Sequence, residues 1–486
     1  MYEYSPLLQA IFDHAEHTPE KPAIIIGEER ISYSALCRNI SKVASILHRF
    51  GIGKGDKILL SARKEAGFIY LYFASHILGC VNVIIDAETN AERLHYIEKK
   101  IQPAYCFGYI SDIFPSKQFT GLEIGNAPCY PESGNIPSLT KDNIAEILFT
   151  TGTTGSPKGV CLSYGNIHAS ASNINKFIGN TSEDVEILGL PVCHSFGLGR
   201  IRCNLLKGAT VVILGSFADV RRFFWAIEEY KATGFGVVPS AWAYIRKISG
   251  RRIRKYSRQI RYIEIGSAAM SHSVKEELLE MFPDTRICMH YGLTEASRAC
   301  FLEFHDRSHL DSIGLPVCAD VEIRIFDGNG SPQPDGTAGE ICVKGNMVMM
   351  RYLDENDNND AFFGDYLRTG DNGYIANDHY VYLLGREKEL INVGGKKVSP
   401  AEVEDAVCAC GVGDCVCVPL KDEFGILGEQ VKCYVLKGST NLTFAEIAAA
   451  VSKRLEPYKR PVAYDWIDLI PLTASGKKQR LSLIEK

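Results

Sequence analysis

Residues 150–159 read Thr150-Thr151-Gly152-Thr153-Thr154-Gly155-Ser156-Pro157-Lys158-Gly159. An apolar run at 147–149 precedes them and another at 160–162 follows, each with the composition of a buried strand. Between the runs stand four threonines, one serine, three glycines and one lysine, and no acid. Glycine lets backbone N–H groups close on an anion, hydroxyls donate to its oxygens, and lysine adds a point charge. Such a loop suits a polyphosphate. It is not a Walker loop, because Gly159 rather than Ser or Thr follows Lys158. Taken alone, the stretch also reads as a Gly/Thr-rich hairpin tip.

Outward from this loop, strand and helix patterns alternate. Residues 57–61, 81–85 and 104–108 read as strands, with helices at 66–78 and 91–100 between them. After the loop come helical patterns at 165–179, 221–232 and 241–248, and strands at 187–192, 210–214, 262–266 and 286–290. Such alternation predicts parallel sheets covered by helices. From about residue 313 short strands and Asn-Gly or Asp-Gly turns take over, the texture of a β-rich subdomain. The last hundred residues read as a small α+β unit. The expected architecture is α/β plus α+β. A large N-terminal domain (1–385) holds two α/β sheet layers and the β-rich subdomain, a hinge lies at 386–388, and a small mobile C-terminal domain covers 389–486.

A chain of 486 residues exceeds one ordinary core. Its net charge of −5 argues against a nucleic-acid partner, which would call for a basic excess. The apolar stretch 68–85 is interrupted by His76, Gly79 and Asn82, so a buried helix followed by a core strand is expected rather than a membrane span. The start lacks the basic and apolar regions of a signal peptide, which points to a cytoplasmic protein with reduced thiols among its sixteen cysteines. Cys408/Cys410 and Cys415/Cys417 have Cys-x-Cys spacing rather than the zinc-type Cys-x2-Cys, and are expected to pack as small hydrophobes. The basic run from Arg251 to Arg261 is either a solvated face or a site for an anionic partner.

Further motifs follow in order: Pro191-Val192-Cys193-His194-Ser195-Phe196-Gly197-Leu198, Tyr291-Gly292-Leu293-Thr294-Glu295, Leu367-Arg368-Thr369-Gly370-Asp371, Gly385-Arg386-Glu387-Lys388, Gly394-Gly395 and Ser475-Gly476-Lys477. With the phosphate loop, this set resembles the adenylate-forming superfamily of acyl-CoA synthetases, luciferases and peptide-synthetase adenylation domains, over nearly the whole chain. The resemblance implies roles. Thr150, Thr151, Gly152, Thr153, Thr154, Gly155 and Lys158 would cradle phosphates. Ser267, Ala268, Tyr291 and Gly292 would hold the adenine, Thr294 the α-phosphate, and Asp371 and Arg386 the ribose. Glu295 would ligate Mg²⁺, for which a hard carboxylate oxygen is suited. Lys477 would be the adenylation lysine, with Lys478 beside it as a risk of register. Lys388 would be the hinge residue, and Gly394 and Gly395 would leave room for a pantetheine arm. His194 would sit at the mouth of an acyl pocket lined by Ser195, Val238, Trp242 and Gly266, with Trp242 and Tyr244 limiting its depth. Each piece alone has a plainer reading: Thr294-Glu295 as a helix cap, Asp371 as a turn residue, Lys388 and Lys477 as solvated lysines.

The chain departs from the family pattern where Ser267-Ala268-Ala269 replaces Gly-Ala-Pro and where Arg351 replaces a glycine. Ser195 also follows His194 where α-amino-acid enzymes place an aspartate, so an acyl or aryl acid is the expected substrate. Glu264 is a candidate partner for a distal amine, and Arg298 for a second acidic group. The implied reaction is ATP-dependent formation of an acyl-adenylate and pyrophosphate, then transfer to the thiol of CoA or of carrier-protein phosphopantetheine. Alternatives are a stand-alone adenylation enzyme for an amino acid, β-amino before α-amino, a catalytically silent nucleotide-binding scaffold, and a luciferase-type oxygenase. The silent scaffold would be expected to lack Lys158, Glu295 or Lys477, and all three are present.

Overall fold

A computed structural model of the chain describes residues 5–117, 121–130, 137–150, 157–386, 389–394, 396–422, 428–472 and 477–484. Two large sheets dominate it. In the nine-stranded sheet, the strands Arg286–Leu293, Tyr262–Ile265, Gly234–Val237, Val185–Leu188, Thr210–Ile213 and Pro22–Ile26 run parallel in that spatial order, with antiparallel strands added at both ends. The seven-stranded sheet centres on parallel Ile144–Thr150, Val81–Asp86, Lys57–Ala62 and Tyr105–Phe107. Its antiparallel edge pairs Ile144–Thr150 with Lys158–Ser163, Thr150 opposite Lys158, so the phosphate loop joins two adjacent strands. A five-stranded antiparallel sheet follows, built on Glu322–Phe326, Gly339–Lys344 and Tyr366–Ile375. These layers are the expected α/β architecture with a β-rich addition.

Two helices are apolar or buried all round, the pattern of helices enclosed by protein. In Ala66–Leu78 every residue from Phe68 onward is buried. Among the described residues no helix is long and apolar enough to cross a membrane. Ser195–Lys207 is buried from Phe196 to Leu205, and its two arginines point opposite ways, since residues two apart on a helix lie on different faces. Arg200 reaches Glu186 and Glu264 of the nine-stranded sheet, whereas Arg202 pairs with Glu146 of the seven-stranded sheet and donates to Tyr72 Oη at 3.0 Å. One helix therefore bolts both sheets through buried ion pairs.

The main apolar core draws on both large sheets and extends to Val381, while a second core collects Ile391 to Leu455. The second packs helices Pro400–Cys408 and Phe444–Val451 on the strands Cys415–Lys421, Glu429–Leu436 and Ala463–Ile467. Cys415, Cys417 and Cys433 are buried in it as free thiols.

Candidate active site

Open parallel sheets bind ligands beyond the carboxyl ends of their strands, where strand order reverses. In the nine-stranded sheet the chain leaves Val185–Leu188 for Thr210–Ile213 on one side and returns to Gly234–Val237 on the other. The connection after Leu188 carries Cys193, His194 and Ser195. The next two strands lead into Val238 and Gly266, and the fourth ends in Tyr291 and Gly292. Sites scattered through the sequence thus meet at one end of one sheet.

On one side of this end, Tyr291 Oη donates to Asp371 Oδ2 at 2.7 Å, and Arg386 Nε stands 2.8 Å from Asp371 Oδ1. Asp371 and Arg386 face each other across antiparallel strands, which fixes their pairing. Glu340, which the sequence did not single out, holds the preceding turn by accepting from Gly370 N at 3.0 Å and Arg368 Nε at 2.9 Å. Thr294 and Glu295 form the tip of an antiparallel hairpin in which Leu293 faces Ala296, rather than a helix cap. A Cβ on Gly292 would stand 2.5 Å from Arg298 N, so the hairpin closes only on glycine. Glu295 is buried, and its Oε1 accepts from Tyr352 Oη at 2.8 Å. Lys158 Nζ lies 4.9 Å from the Tyr352 ring centroid and 3.1 Å from Asp357 Oδ1. Tyr352 and Asp357 were not anticipated, because nothing near them in sequence bears on the phosphate loop. Ser267 adopts φ +74°, a left-handed conformation that glycine would take without strain. Thr150 ends its strand; Thr151, Gly152, Thr153, Thr154, Gly155, Lys388 and Gly395 lie outside the described residues. Gly394, also left-handed, closes the short strand Ile391–Val393.

The two C-terminal lysines have separate environments. Lys478 Nζ donates to Glu404 Oε2 at 3.0 Å and Asp414 Oδ1 at 2.9 Å, and these carboxylates hold its charge in place. Lys477 is exposed over the residue as a whole, yet its ammonium is crowded by protein. Desolvation and the Arg386 guanidinium lower its pKa, opposed by Asp371, Glu295 and Glu389. Lys477 therefore shares the electrostatic field of Asp371, Arg386 and Glu295, and Lys478 serves the small core.

The acid side is more enclosed. His194 precedes the helix Ser195–Lys207, and its Nε2 is buried with no partner among the described residues. Burial lowers its pKa, with Asp86 opposing and Arg93 assisting. Asp86, Cys193 and His194 bring three donor atoms together, and Cys193 Sγ lies 3.3 Å from Asp86 Oδ2. Trp242 is 1% exposed, whereas Tyr244, expected to limit the pocket, is 44% exposed. Successive helical positions diverge, so two residues only two apart do not both face the sheet.

Glu264 and Arg298, offered above to substrate groups, are instead spent on each other. Glu264 Oε1 lies 3.1 Å from Arg298 Nε and 2.7 Å from His290 Nδ1, and Oε2 lies 3.1 Å from Arg200. Burial resists ionisation of Glu264, but Arg298 and Arg200 hold its pKa well below the usual carboxylate range. Arg298 also donates to the carbonyls of Ser195 at 3.0 Å and Phe196 at 3.2 Å, pinning the start of the pocket helix.

Residues 11–353 match the family described as AMP-binding enzyme, and residues 402–477 match the AMP-binding enzyme C-terminal domain. The chain is 28% identical to a 4-coumarate–CoA ligase of Humulus lupulus, over 99% of this chain and 94% of that protein. It is also 28% identical to a 2-succinylbenzoate–CoA ligase of Bacillus licheniformis, over 96% and 98%. Among solved structures, o-succinylbenzoate CoA synthetase from Bacillus subtilis in complex with the acyl-adenylate intermediate OSB-AMP matches with TM-score 0.87, 26% identity and 98% coverage of both chains. ATP-bound MatB from Rhodopseudomonas palustris shares the fold at TM-score 0.90 and 24% identity, over 99% of this chain and 98% of that one. Matched over well more than half its length, this chain belongs to the AMP-binding enzyme family.

Proposed function

We propose that this chain, an ATP-dependent acid–thiol ligase, activates a compact aryl or other largely apolar carboxylic acid and transfers the acyl group to CoA. The observation that supports this assignment of roles best is the field shared by Lys477, Arg386, Asp371 and Glu295, which come from regions far apart in sequence. In the first half-reaction a substrate carboxylate oxygen bonds to the α-phosphorus of ATP, the α–β anhydride bond breaks and pyrophosphate leaves. A carboxylate attacks an anionic phosphate poorly, so positioning and charge neutralisation carry the catalysis. Asp371 accepts the ribose hydroxyls, Arg386 steadies it, and Tyr291, Gly292, Ser267 and Ala268 enclose the adenine. Thr150 to Gly155 and Lys158 hold the phosphates, Thr294 and Lys477 meet the α-phosphate, and His194 and Ser195 flank the entering carboxylate. Glu295, one hard carboxylate beside the phosphate loop, fits Mg²⁺, which usually keeps one or two protein carboxylates plus phosphates. When bound, the ion would neutralise phosphate charge.

In the second half-reaction the thiol sulfur attacks the acyl carbonyl, its proton passes to solvent and AMP leaves. The segment 389–486 turns on the hinge 386–388 about Lys388, withdrawing Lys477 and bringing Gly394 and Gly395 to the acyl-adenylate. Lys388→Pro should spare acyl-adenylate formation and suppress thioester formation; equal loss of both would exclude the hinge. A carrier-protein phosphopantetheine is the alternative thiol, favoured by a cleft of about 700 Å³ lined by Arg221, Arg251, Arg252, Arg254 and Lys255, which suits an acidic helix. Thioester formation with free CoA against holo-carrier protein separates the two. The test of the whole reading is acid-dependent ATP–pyrophosphate exchange across fatty, aryl, hydroxy and amino acids. Exchange with one class supports it; ATP binding without exchange returns the silent scaffold.

A further inference from the structure

The sheet face behind the acid site carries a set of charges that cancel. Glu186, Glu264, Arg200 and Arg298 are two carboxylates and two guanidiniums, at most 5% exposed each. They are joined through Arg200–Glu186, Arg200–Glu264 and Arg298–Glu264. The fifth member, His290, is held as the neutral imidazole by burial and by Arg298. Within this described network no charge of either sign is left over for a substrate's second carboxylate or ammonium group.

His290 differs from the others in what it faces. Glu264 is 0% exposed, but the His290 side chain keeps 8% of its surface. Its Nδ1 is 2.7 Å from the Glu264 Oε1 carboxylate, whose negative charge favours the tautomer with the proton on Nδ1 and Nε2 as an acceptor, although the contact lacks the alignment of a hydrogen bond. Parallel register puts Glu264 level with Cys288, so Glu264, Gly266 and His290 project from one face of the sheet. A Cβ on Gly266 would stand 2.0 Å from Cε1 and 2.1 Å from Nε2 of His290. The glycine admits this ring edge, and the edge takes the place of a wall. Phe196 meets the imidazole edge-on with centroids 4.6 Å apart. The space in front of Gly266 is thus bounded by an aromatic ring and by one lone pair.

We infer that His290 is the specificity-determining residue of the acid site, and that the acid it selects carries a neutral hydrogen-bond donor, a hydroxyl or N–H, at the end remote from its carboxylate. This inference rests on the ligase reading. A hydrocarbon terminus would leave the imidazole acceptor buried and unpaired, a cost that the donor-bearing acid avoids. A carboxylate terminus would meet an acceptor and no free cation.

The test is ATP–pyrophosphate exchange with three acids of one frame: 4-hydroxyphenylpropenoic, phenylpropenoic and 4-carboxyphenylpropenoic acid. The expected order of kcat/KM is hydroxyl first, by about tenfold or more over the unsubstituted acid, with the dicarboxylic acid last. His290→Leu should erase the hydroxyl preference with the KM for ATP unchanged, and His290→Gln should restore part of it. Equal use of the hydroxylated and bare acids by the unaltered protein would overturn the inference without any variant. So would an equal loss on both acids in His290→Leu. Exchange with none of these acids or any of a broad panel, while ATP binds, would instead remove the ligase reading beneath it.

Discussion

On the proposed nucleotide side Lys158 rests on Asp357 and Tyr291 donates to Asp371. On the acid side Glu264 is enclosed by Arg200, Arg298 and His290, and Arg298 is committed to backbone carbonyls as well. The Lys158–Asp357 pair is partly open, its side chains keeping 33% and 29% of their surface against 0% for Arg200 and Glu264, while Tyr291 and Asp371 are buried. Exposed pairs contribute little to stability and exchange readily, whereas a buried charge stripped of its partner is costly. The Lys158–Asp357 contact is therefore one that can exchange, and the Glu264 network a rigid wall.

The largest effect expected from breaking this contrast falls on Lys477. Lys477→Ala should slow acyl-adenylate formation by roughly 10²–10³-fold, the usual loss for one positioned electrostatic contact, while ATP affinity measured by calorimetry stays within a few fold. Adenylation near the unaltered rate would disprove the role. In the acid half, Glu264→Gln should cost about 3–5 kcal/mol of folding stability in urea, because the buried Arg298 guanidinium would lose the carboxylate it pairs with. A change under about 1 kcal/mol would mean that the network is not the rigid element described.

Smaller effects refine the nucleotide side. In the proposed mechanism catalysis needs the Lys477 ammonium, whose pKa lies below the ordinary lysine value. Activity is therefore full at low pH, as far as this group is concerned, and is lost as pH rises through that lowered value. The alkaline limb of kcat/KM for ATP should fall earlier than an ordinary lysine would dictate. Lys477→Arg, still charged there, should keep whatever activity it has across the same range. Last, Asp357→Asn releases Lys158 from a half-exposed pair worth up to about 1 kcal/mol, so ATP should bind up to about fivefold more tightly. Weaker binding would show that Asp357 orients Lys158 instead of competing for it.

Much of this was legible in the chain. The alternation of apolar strands and amphipathic helices announced parallel sheets, and the motifs around Lys158, Glu295, Asp371, Arg386 and Lys477 pointed to the family. Glu264 and Arg298 misled because a lone acid and a lone base in sequence look available. Their pairing joins two strands that flank a third, Arg286–Leu293, and depends on the left-handed conformation of Arg298, φ +57°, which no local pattern encodes. His290 gave no signal at all, being one histidine before a tyrosine; only strand register sets it over Gly266. Tyr352 and Asp357 joined the site through a two-residue strand laid against Val160 and Cys161.

By itself, then, the sequence determined the layer architecture and the kinds of groups that face a nucleotide, because both follow from local periodicity and from residue types at short spacing. Tertiary structure decided which charges are spent on one another, and that Lys477 feels the charges of Asp371 and Arg386 while Lys478 is held by Glu404 and Asp414. Those outcomes depend on which strands lie side by side, and burial makes each pairing exclusive: once Glu264 is desolvated between two guanidiniums, no substrate can claim it.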